Sequence, residues 1–564
     1  MRLFFLILLI AGSLPAQKLS PAFQDYLNAH PGEEQKVWLF FGDKGSAAEK
    51  GKPFFENIRP RALSRRSRVN AAYDLFDLPV ASSYKAIVSE ITGRIERESR
   101  WLNAVSVWAT PEQIEALNAL AFIRRIRPVA RRAPRPPLRE QPLPAASPGL
   151  YKSGDLDYGN SLNQLEMLKI PEMHKKGFNG DGVIIGMLDD GFSHYKTHMA
   201  FQQLRVLATW DFVNDNREVD DPDAVLNKGY HGSKTLSTIG GFAPGYLIGP
   251  AYNATYLLAK TEIDSIEQPV EEDNWVAGLE WAEAMGADIV SSSLGYIDWY
   301  DWDDMDGQTA VTTLAANIAE QKGLIVVNAM GNEGNNADHG TLIAPADGFF
   351  VVSVGGVRPD GSYWTGASVG PTADNRIKPT VAAQAQFATV ISTYNDSSFT
   401  QNNGTSFATP LVAGAIALLL QAHPSATPAD IRMALQATSN RAGSPDKFTG
   451  YGIVNTPAAL EWLNTNSNTA VDEFYVLQNA PNPFRDFSLI KVGLPVQSVV
   501  SMDIFNSLGQ RVLSLPARTG EGQLSFLILG TQLPAGGIYF YRIKARVPET
   551  KRLHMFHGRM IFLR

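Results

Sequence analysis

Four short segments carry residue types suited to acid–base and nucleophilic chemistry. Ile185-Gly186-Met187-Leu188-Asp189-Asp190-Gly191 ends an apolar stretch in carboxylates. His231-Gly232-Ser233-Lys234-Thr235-Leu236-Ser237 offers an imidazole ahead of a small-residue run, and Ala329-Met330-Gly331-Asn332-Glu333-Gly334 offers a carboxamide. Asn403-Gly404-Thr405-Ser406-Phe407-Ala408-Thr409-Pro410 sets a serine before the apolar run Leu411 to Gln421. A serine hydroxyl is a poor nucleophile until an imidazole takes its proton. That imidazole needs a buried carboxylate to fix its tautomer and stabilise the imidazolium. The oxyanion formed on attack needs donors already in place, and a backbone N–H at a helix start is well oriented for it. Singly, each residue has a structural use as a turn residue or helix cap. Asp189, His231, Asn332 and Ser406 together point to acyl transfer.

The elements around them must form a sheet edge. Val183 to Leu188 is a continuous apolar run, as expected of a parallel strand buried on both faces. Tyr256 to Lys260, Asp288 to Ser291 and Leu324 to Val327 read as further strands, with helices around Trp275 to Met285 and Ala310 to Gln321. Alternation of this kind predicts an α/β domain with a doubly wound, mainly parallel sheet flanked by helices. Sites in such sheets lie where strands end and helices begin.

Composition bounds the rest. The chain has 564 residues, 44% hydrophobic and 19% charged, which excludes a wholly disordered or collagen-like chain. With 50 basic and 57 acidic residues the net charge is −7, so nothing points to a nucleic-acid partner. There is no cysteine, which excludes disulfides, thiolate metal sites and a cysteine nucleophile.

The order Asp189, His231, Asn332, Ser406, anchored by Gly404-Thr405-Ser406-Phe407-Ala408-Thr409-Pro410, resembles the subtilisin-like serine peptidases, over roughly Tyr158 to Trp462. The resemblance implies a serine endopeptidase made as a precursor and hydrolysing peptide bonds through an acyl-enzyme. Ser406 would be the nucleophile, His231 the general base and acid, and Asp189 its orienting carboxylate. Asn332 and Ser406 would form the oxyanion hole. Ser293-Leu294-Gly295 and Ala329-Met330-Gly331 resemble the two walls of the family's substrate pocket, and Gly241-Phe242-Ala243-Pro244-Gly245 the turn ending its catalytic His helix. No cofactor is required for the chemistry. The family often binds structural calcium, but Asp211 to Asp223 and Asp298 to Asp306 read as solvated acidic loops. Counting back from Gly307 puts Trp302 where an EF-hand's first ligand belongs.

Two departures stand out. Ser233 and Lys234 replace the usual Thr and His, and Asp190 replaces a Ser or Thr beside the catalytic Asp, where its charge is expected to act on titration of the Asp189–His231 pair. Glu271-Glu272-Asp273 reads either as the capped start of a helix or as a site favouring basic side chains upstream of the cut. A catalytically silent binding protein on this scaffold would be expected to lack a triad residue.

The flanks give the remaining expectations. Arg2, the apolar run Leu3 to Ala11 and Ser13-Leu14-Pro15-Ala16 have the layout of an export signal over 1–16. No later stretch reads as a transmembrane segment. Residues 17–130 loosely resemble the α+β inhibitory prosegment of subtilases, with a strand at Lys36 to Phe41 and then strand, turn, strand, helix, strand from Tyr84 to Ile126. An Arg/Pro-rich linker, 131–150, is the expected place for maturation cuts. The catalytic domain spans 151–463, and a second linker 464–470. Residues 471–564 read as a small β-sandwich. Leu477-Gln478-Asn479-Ala480-Pro481-Asn482-Pro483-Phe484 there resembles the C-terminal sorting domain of type IX secretion. Expected partners are protein or peptide substrates, the chain's own prosegment and the type IX machinery. The expected location is outside the cell or on its surface, after periplasmic transit.

Overall fold

The computed structural model describes residues 18–45, 58–69, 71, 75–130, 156–220, 230–262, 272–297, 299–334, 340–466, 473–479, 482–485 and 487–563. The expected export signal and the Arg/Pro-rich linker fall outside them, as do Glu271 and residues 467–470.

The expected parallel sheet is present, with seven strands. Their order is Val381–Gln384, Val352–Val357, Ile325–Ala329, Ile289–Ser292, Ile184–Asp189, Thr255–Lys260, Arg205–Asp211. Every pairing in it is parallel. Chain order reverses between Ile184–Asp189 and Ile289–Ser292: the next strands in sequence stack on one side and the later ones on the other. Such a reversal opens a crevice at the carboxyl ends of the two strands. Asp189 ends one of them, and Ser293 follows the other. Helices Tyr230–Gly240 and Thr405–Ala422 pack together on one face, and Glu272–Met285 and Val311–Gln321 on the other.

Thr405–Ala422 is apolar and long enough to cross a membrane by composition. Leu411, Val412, Ile416 and Leu419 lie instead in the largest core cluster, with Ile185, Met187, Val327 and Val354. Its apolarity is that of a helix buried on all sides.

The N-terminal unit has four antiparallel strands, in the order Arg97–Ser99, Ala104–Ala109, Gln35–Phe41, Ile123–Pro128. Side chains of Gln35–Phe41 alternate between two faces. Val37, Leu39 and Phe41 join Val105, Val107, Ile114 and Leu117 beneath helices Ser82–Thr92 and Pro111–Asn118. Trp38 points the other way, into a cluster with Trp275, Leu279, Val311 and Ala315 of the catalytic unit's helices. The strand expected from Tyr84 is the helix Ser82–Thr92, because Tyr84, Val88 and Ile91 recur at helical spacing and share one core.

A further helix, Pro60–Arg68, reaches the far edge of the seven-stranded sheet. Arg61 donates to Gly182 O at 2.6 Å and pairs with Asp288 at 2.5 Å, just before two of the sheet strands begin. Arg65 is buried and donates to Ala287 O, Glu283 O and Lys322 O, carbonyls at the ends of the helices Glu272–Met285 and Val311–Gln321. Arg66 grips Glu283 with two bonds of 2.8 Å, and Arg100 adds a third guanidinium at 3.1 Å.

In the C-terminal unit, Phe487–Phe505 and Arg511–Leu529 form a long hairpin closed at Asn506–Gln510, whose Asn506 Oδ1 accepts from Leu508 N–H and Gln510 N–H at 3.0 Å. Gly537–Arg546 and Leu553–Phe562 complete it. With the short strand Tyr475–Val476 paired to Phe487–Phe505, they bond as one five-stranded sheet rather than two separate ones. Pairing slips between Leu494 and Ser498, and Ile490, Val492, Val500 and Met502 from both sides of that slip share one fully buried core. The sheet is thus folded over itself, sandwich-like. The segment expected to open this unit clasps the last strand: Asn482 Oδ1 accepts from Ile561 N–H at 2.8 Å, and Phe484 packs on Phe562.

Candidate active site

Strand Ile184–Asp189 delivers Asp189 to the carboxyl edge of the sheet. Asp189 Oδ1 lies 2.5 Å from His231 Nδ1, and both side chains are buried. Two more bonds hold the carboxylate: Asp190 N–H donates to Oδ1 at 2.9 Å and Thr235 Oγ1 to Oδ2 at 3.0 Å. Thr235 sits one helical turn after His231, so the helix that carries the imidazole also steadies its partner.

Asp190 also has a structural role. Its oxygens accept from Gly232 N–H at 2.8 Å and His231 N–H at 3.3 Å, amides at the start of helix Tyr230–Gly240. A carboxylate there also complements the helix dipole. Gly232 is required by space, since a Cβ would run into Gly191 O. Ser233 donates to Ser193 O, a packing role.

Ser406 is the second residue of helix Thr405–Ala422. The helix begins at Gly404, with φ 152° and no side-chain cap, so the serine hydroxyl is not used to cap it. Pro410 has no N–H, and the residue four before it is Ser406, whose carbonyl therefore lacks its helical donor. Ser293 Oγ supplies that donor at 2.8 Å, while Ser406 Oγ donates to Ser293 O at 3.3 Å. The proline thus couples the serine to the segment after strand Ile289–Ser292. Phe407 carries the helix to the imidazole, its ring 6.0 Å from that of His231.

Asn332 follows strand Ile325–Ala329 and faces the same helix start. Its Oδ1 accepts from Thr405 N–H at 2.9 Å and Thr405 Oγ1 at 3.1 Å. With the oxygen engaged twice, the amide's donor end is the one turned to a further partner. Ser293-Leu294-Gly295 and Ala329-Met330-Gly331 flank the pair Thr405–Ser406, the second through Gly331 O, which accepts from Thr405 Oγ1 at 3.0 Å. Asp189, His231, Asn332, Ser406 and both wall segments therefore converge on one crevice. From the sequence, Asp190 and Ser293 were named but not the supporting bonds they make, and Thr405 and Thr235 were given no role. Only the Ser–Pro spacing could have signalled one of them.

Asp189, Asp190 and His231 are the one group of three such side chains close enough to share a metal among the described residues. Their oxygens are engaged by the helix and the imidazole. Neither expectation about Asp211 or Asp306 as solvated acid holds in full. Asp211 is buried and takes Val213 N–H and Asn214 N–H, and half-buried Asp306 takes Gln308 N–H and Thr309 N–H.

Residues 180–452 match the model of peptidase S8, the subtilase family, and residues 36–141 match the S8 propeptide domain of Bacteroidota. The alkaline protease of Alkalihalobacillus alcalophilus is 30% identical over 303 residues, covering 52% of this chain and 68% of that protein. The chain belongs to the subtilase family. Subtilisin DY of Bacillus licheniformis is 28% identical over 299 residues, covering 53% of this chain and 97% of the relative. The fold is shared with fervidolysin of Fervidobacterium pennivorans, described as a keratinolytic enzyme related to subtilisin, at TM-score 0.55 and 19% identity. That likeness covers 94% of this chain and 76% of fervidolysin.

This subtilase is therefore a serine peptidase with a propeptide domain, and the four-stranded unit seated on two catalytic helices lies within the propeptide match. Glu272 and Asp273 are committed to that contact. Asp273 pairs with Lys36 at 2.8 Å and accepts from Ser106, while Glu272 accepts from Trp38 Nε1 at 3.0 Å. While the propeptide is docked, these two carboxylates are not a site for substrate, and neither reading of this acidic run anticipated the contact. Burial pushes the Glu272 carboxyl up to about 7, against bonds from Tyr300, the Ala130 N–H and Trp38 that favour its charge. A carboxyl raised from 4.5 binds its proton more tightly in the folded precursor than in the unfolded chain. Its contribution to the precursor's stability is therefore fully present below pH 4.5 and is lost as pH rises to about 7, by at most about 1.4 kcal/mol per pH unit. Glu272→Gln is expected to flatten that slope. Urea midpoints of parent and variant across this window check it, and parallel pH curves would count against the linkage.

Proposed function

We propose that the chain is the precursor of an exported serine endopeptidase that works through Ser406, His231 and Asp189. The observation carrying this reading is the convergence on one crevice of a paired Asp189–His231, a serine free of capping duty and an oriented Asn332. His231 Nε2 takes the Ser406 Oγ proton as the oxygen attacks the peptide carbonyl. Asn332 Nδ2–H and the Ser406 backbone N–H stabilise the resulting oxyanion. Collapse breaks the C–N bond, and the leaving amine takes the proton from His231. Water, deprotonated by the same imidazole, then releases the acyl group. Asp189 stays ionised throughout and stabilises the imidazolium.

The propeptide domain acts as inhibitor until cuts in 131–150 separate it. Its last described residue, Ala130, lies beside Glu272, at the carboxyl edge where the crevice is. Residues 1–16 direct export, and 471–564 act as a type IX sorting domain. Supporting the latter reading are the motif Leu477 to Phe484 and its clasp on the last strand.

An organofluorophosphonate serine reagent tests the site. The processed parent is expected to take up one adduct at Ser406, and His231→Ala to take up none. A folded, processed parent without an adduct would overturn the reading. Asn332→Ala is expected to lower kcat by about 10²–10³ with KM nearly unchanged, the cost of losing one preorganised donor in subtilisin. An unchanged kcat would remove Asn332 from the oxyanion hole.

A further inference from the structure

We infer that Ile343 closes the pocket beside Ser406, so that this peptidase cuts after small side chains such as alanine and not after phenylalanine or tyrosine. The inference rests on the serine-peptidase reading of the site and names its substrate class. A peptide carbonyl attacked by Ser406 and held by Asn332 lies between the segments Ser293-Leu294-Gly295 and Ala329-Met330-Gly331. The side chain on that carbonyl's own residue must then enter the gap between those segments.

Ile343 occupies that gap. A Cβ built on Gly295 would overlap both Cδ1 and Cγ1 of Ile343, so the isoleucine lies directly against this wall. A Cβ on Gly331 would stand 3.2 Å from the same Cγ1. One ethyl group thus spans from the first wall to the second. The backbone around it fixes that placement: Ile343 N–H donates to Met330 O at 3.4 Å, and Ala344 O accepts from Tyr296 N–H at 2.9 Å. Its neighbours face the opposite way. Leu342 and Ala344 are packed with Met305, Ala310 and Met330, a cluster that leaves Ile343 out although it is only 7% exposed. Ile343 is therefore a wall-to-wall filler, and the space above it suits a methyl or hydroxymethyl group. A bulky ring entering there would force the isoleucine out of its rotamer or the walls apart, which close packing resists.

The test is a set of peptides identical except for the residue before the cut, assayed on the processed enzyme. Parent kcat/KM is expected to be at least tenfold higher with alanine there than with phenylalanine. Ile343→Gly is expected to raise the phenylalanine value at least tenfold, and Ile343→Ala to raise it less. Ile343→Ala serves alone if the glycine variant does not mature. A parent that cuts after phenylalanine as readily as after alanine overturns the inference, as does an active variant with the parent's profile. Labelling at Ser406 separates two kinds of failure. A parent that labels but prefers large residues sinks this inference only, whereas one that neither labels nor cuts sinks the serine-peptidase reading with it.

Discussion

Ser406→Ala is expected to give a folded precursor that neither shortens itself nor hydrolyses a protein substrate. The hydroxyl makes one bond, to Ser293 O at 3.3 Å, and caps nothing, so its loss costs the fold little. Its chemical loss is near total: removing the nucleophile of such a triad lowers turnover by about 10⁶, a figure set by subtilisin itself. Intact mass and hydrolysis by chains beginning at Gln17 read both effects. If parent is cut in 131–150 and the variant is not, maturation is autocatalytic. If the variant is cut only when processed parent is added, the same nucleophile acts between molecules. A Ser406→Ala chain that matures and cuts like the parent would mean that the nucleophile lies elsewhere.

Glu283→Ala is expected to cost the precursor about 3–5 kcal/mol, the usual price of removing one partner from a buried ion cluster. Glu283 is fully buried, and burial alone would raise its carboxyl; the guanidiniums of Arg66, Arg65 and Arg100 outweigh this and hold it below the ordinary value. Without it, three arginines face one another with two buried carboxylates still in contact: Asp77, paired with Arg66 and Lys322 at 2.9 Å, and Glu280, paired with Arg100 at 3.3 Å. The measurement is urea unfolding in the Ser406→Ala background, which keeps the propeptide attached. Glu283→Gln should fall between the two, since it keeps the shape and loses the charge. A stability within about 0.5 kcal/mol of the parent would show that the other partners, Asp77, Glu280 and the helix-end carbonyls, hold the arginines without Glu283.

Much of the catalytic domain is legible in the sequence because its signals are local. Apolar runs such as Val183 to Leu188 mark buried strands, and glycines beside Asp189, His231, Asn332 and Ser406 mark places where backbone must come close. What escapes are residues whose meaning depends on distant partners. Asp273 reads as a helix cap, yet its cation, Lys36, is 237 positions away. Arg65 and Arg66 carry no local signal that separates them from surface arginines, yet they are among the largest fully buried side chains. Ile343 has no periodic neighbours to announce it, and only the meeting of two glycine-bearing segments reveals what it fills. The misread helix Ser82–Thr92 is a smaller failure, since a short apolar segment supports either period until its core is seen.

The grip of Pro60–Arg68 on the far edge of the sheet bears on the timing of activation. The propeptide holds the enzyme at two places, a sheet laid over two helices and an arginine-bearing helix at their opposite ends. A ligand attached twice leaves slowly, because when one contact opens the other keeps it at high local concentration. Severing the linker is therefore not expected to switch the enzyme on by itself. Activity should appear after a lag set by escape of the cut propeptide, shortened by Arg65→Ala and unaffected by faster cutting at 131–150.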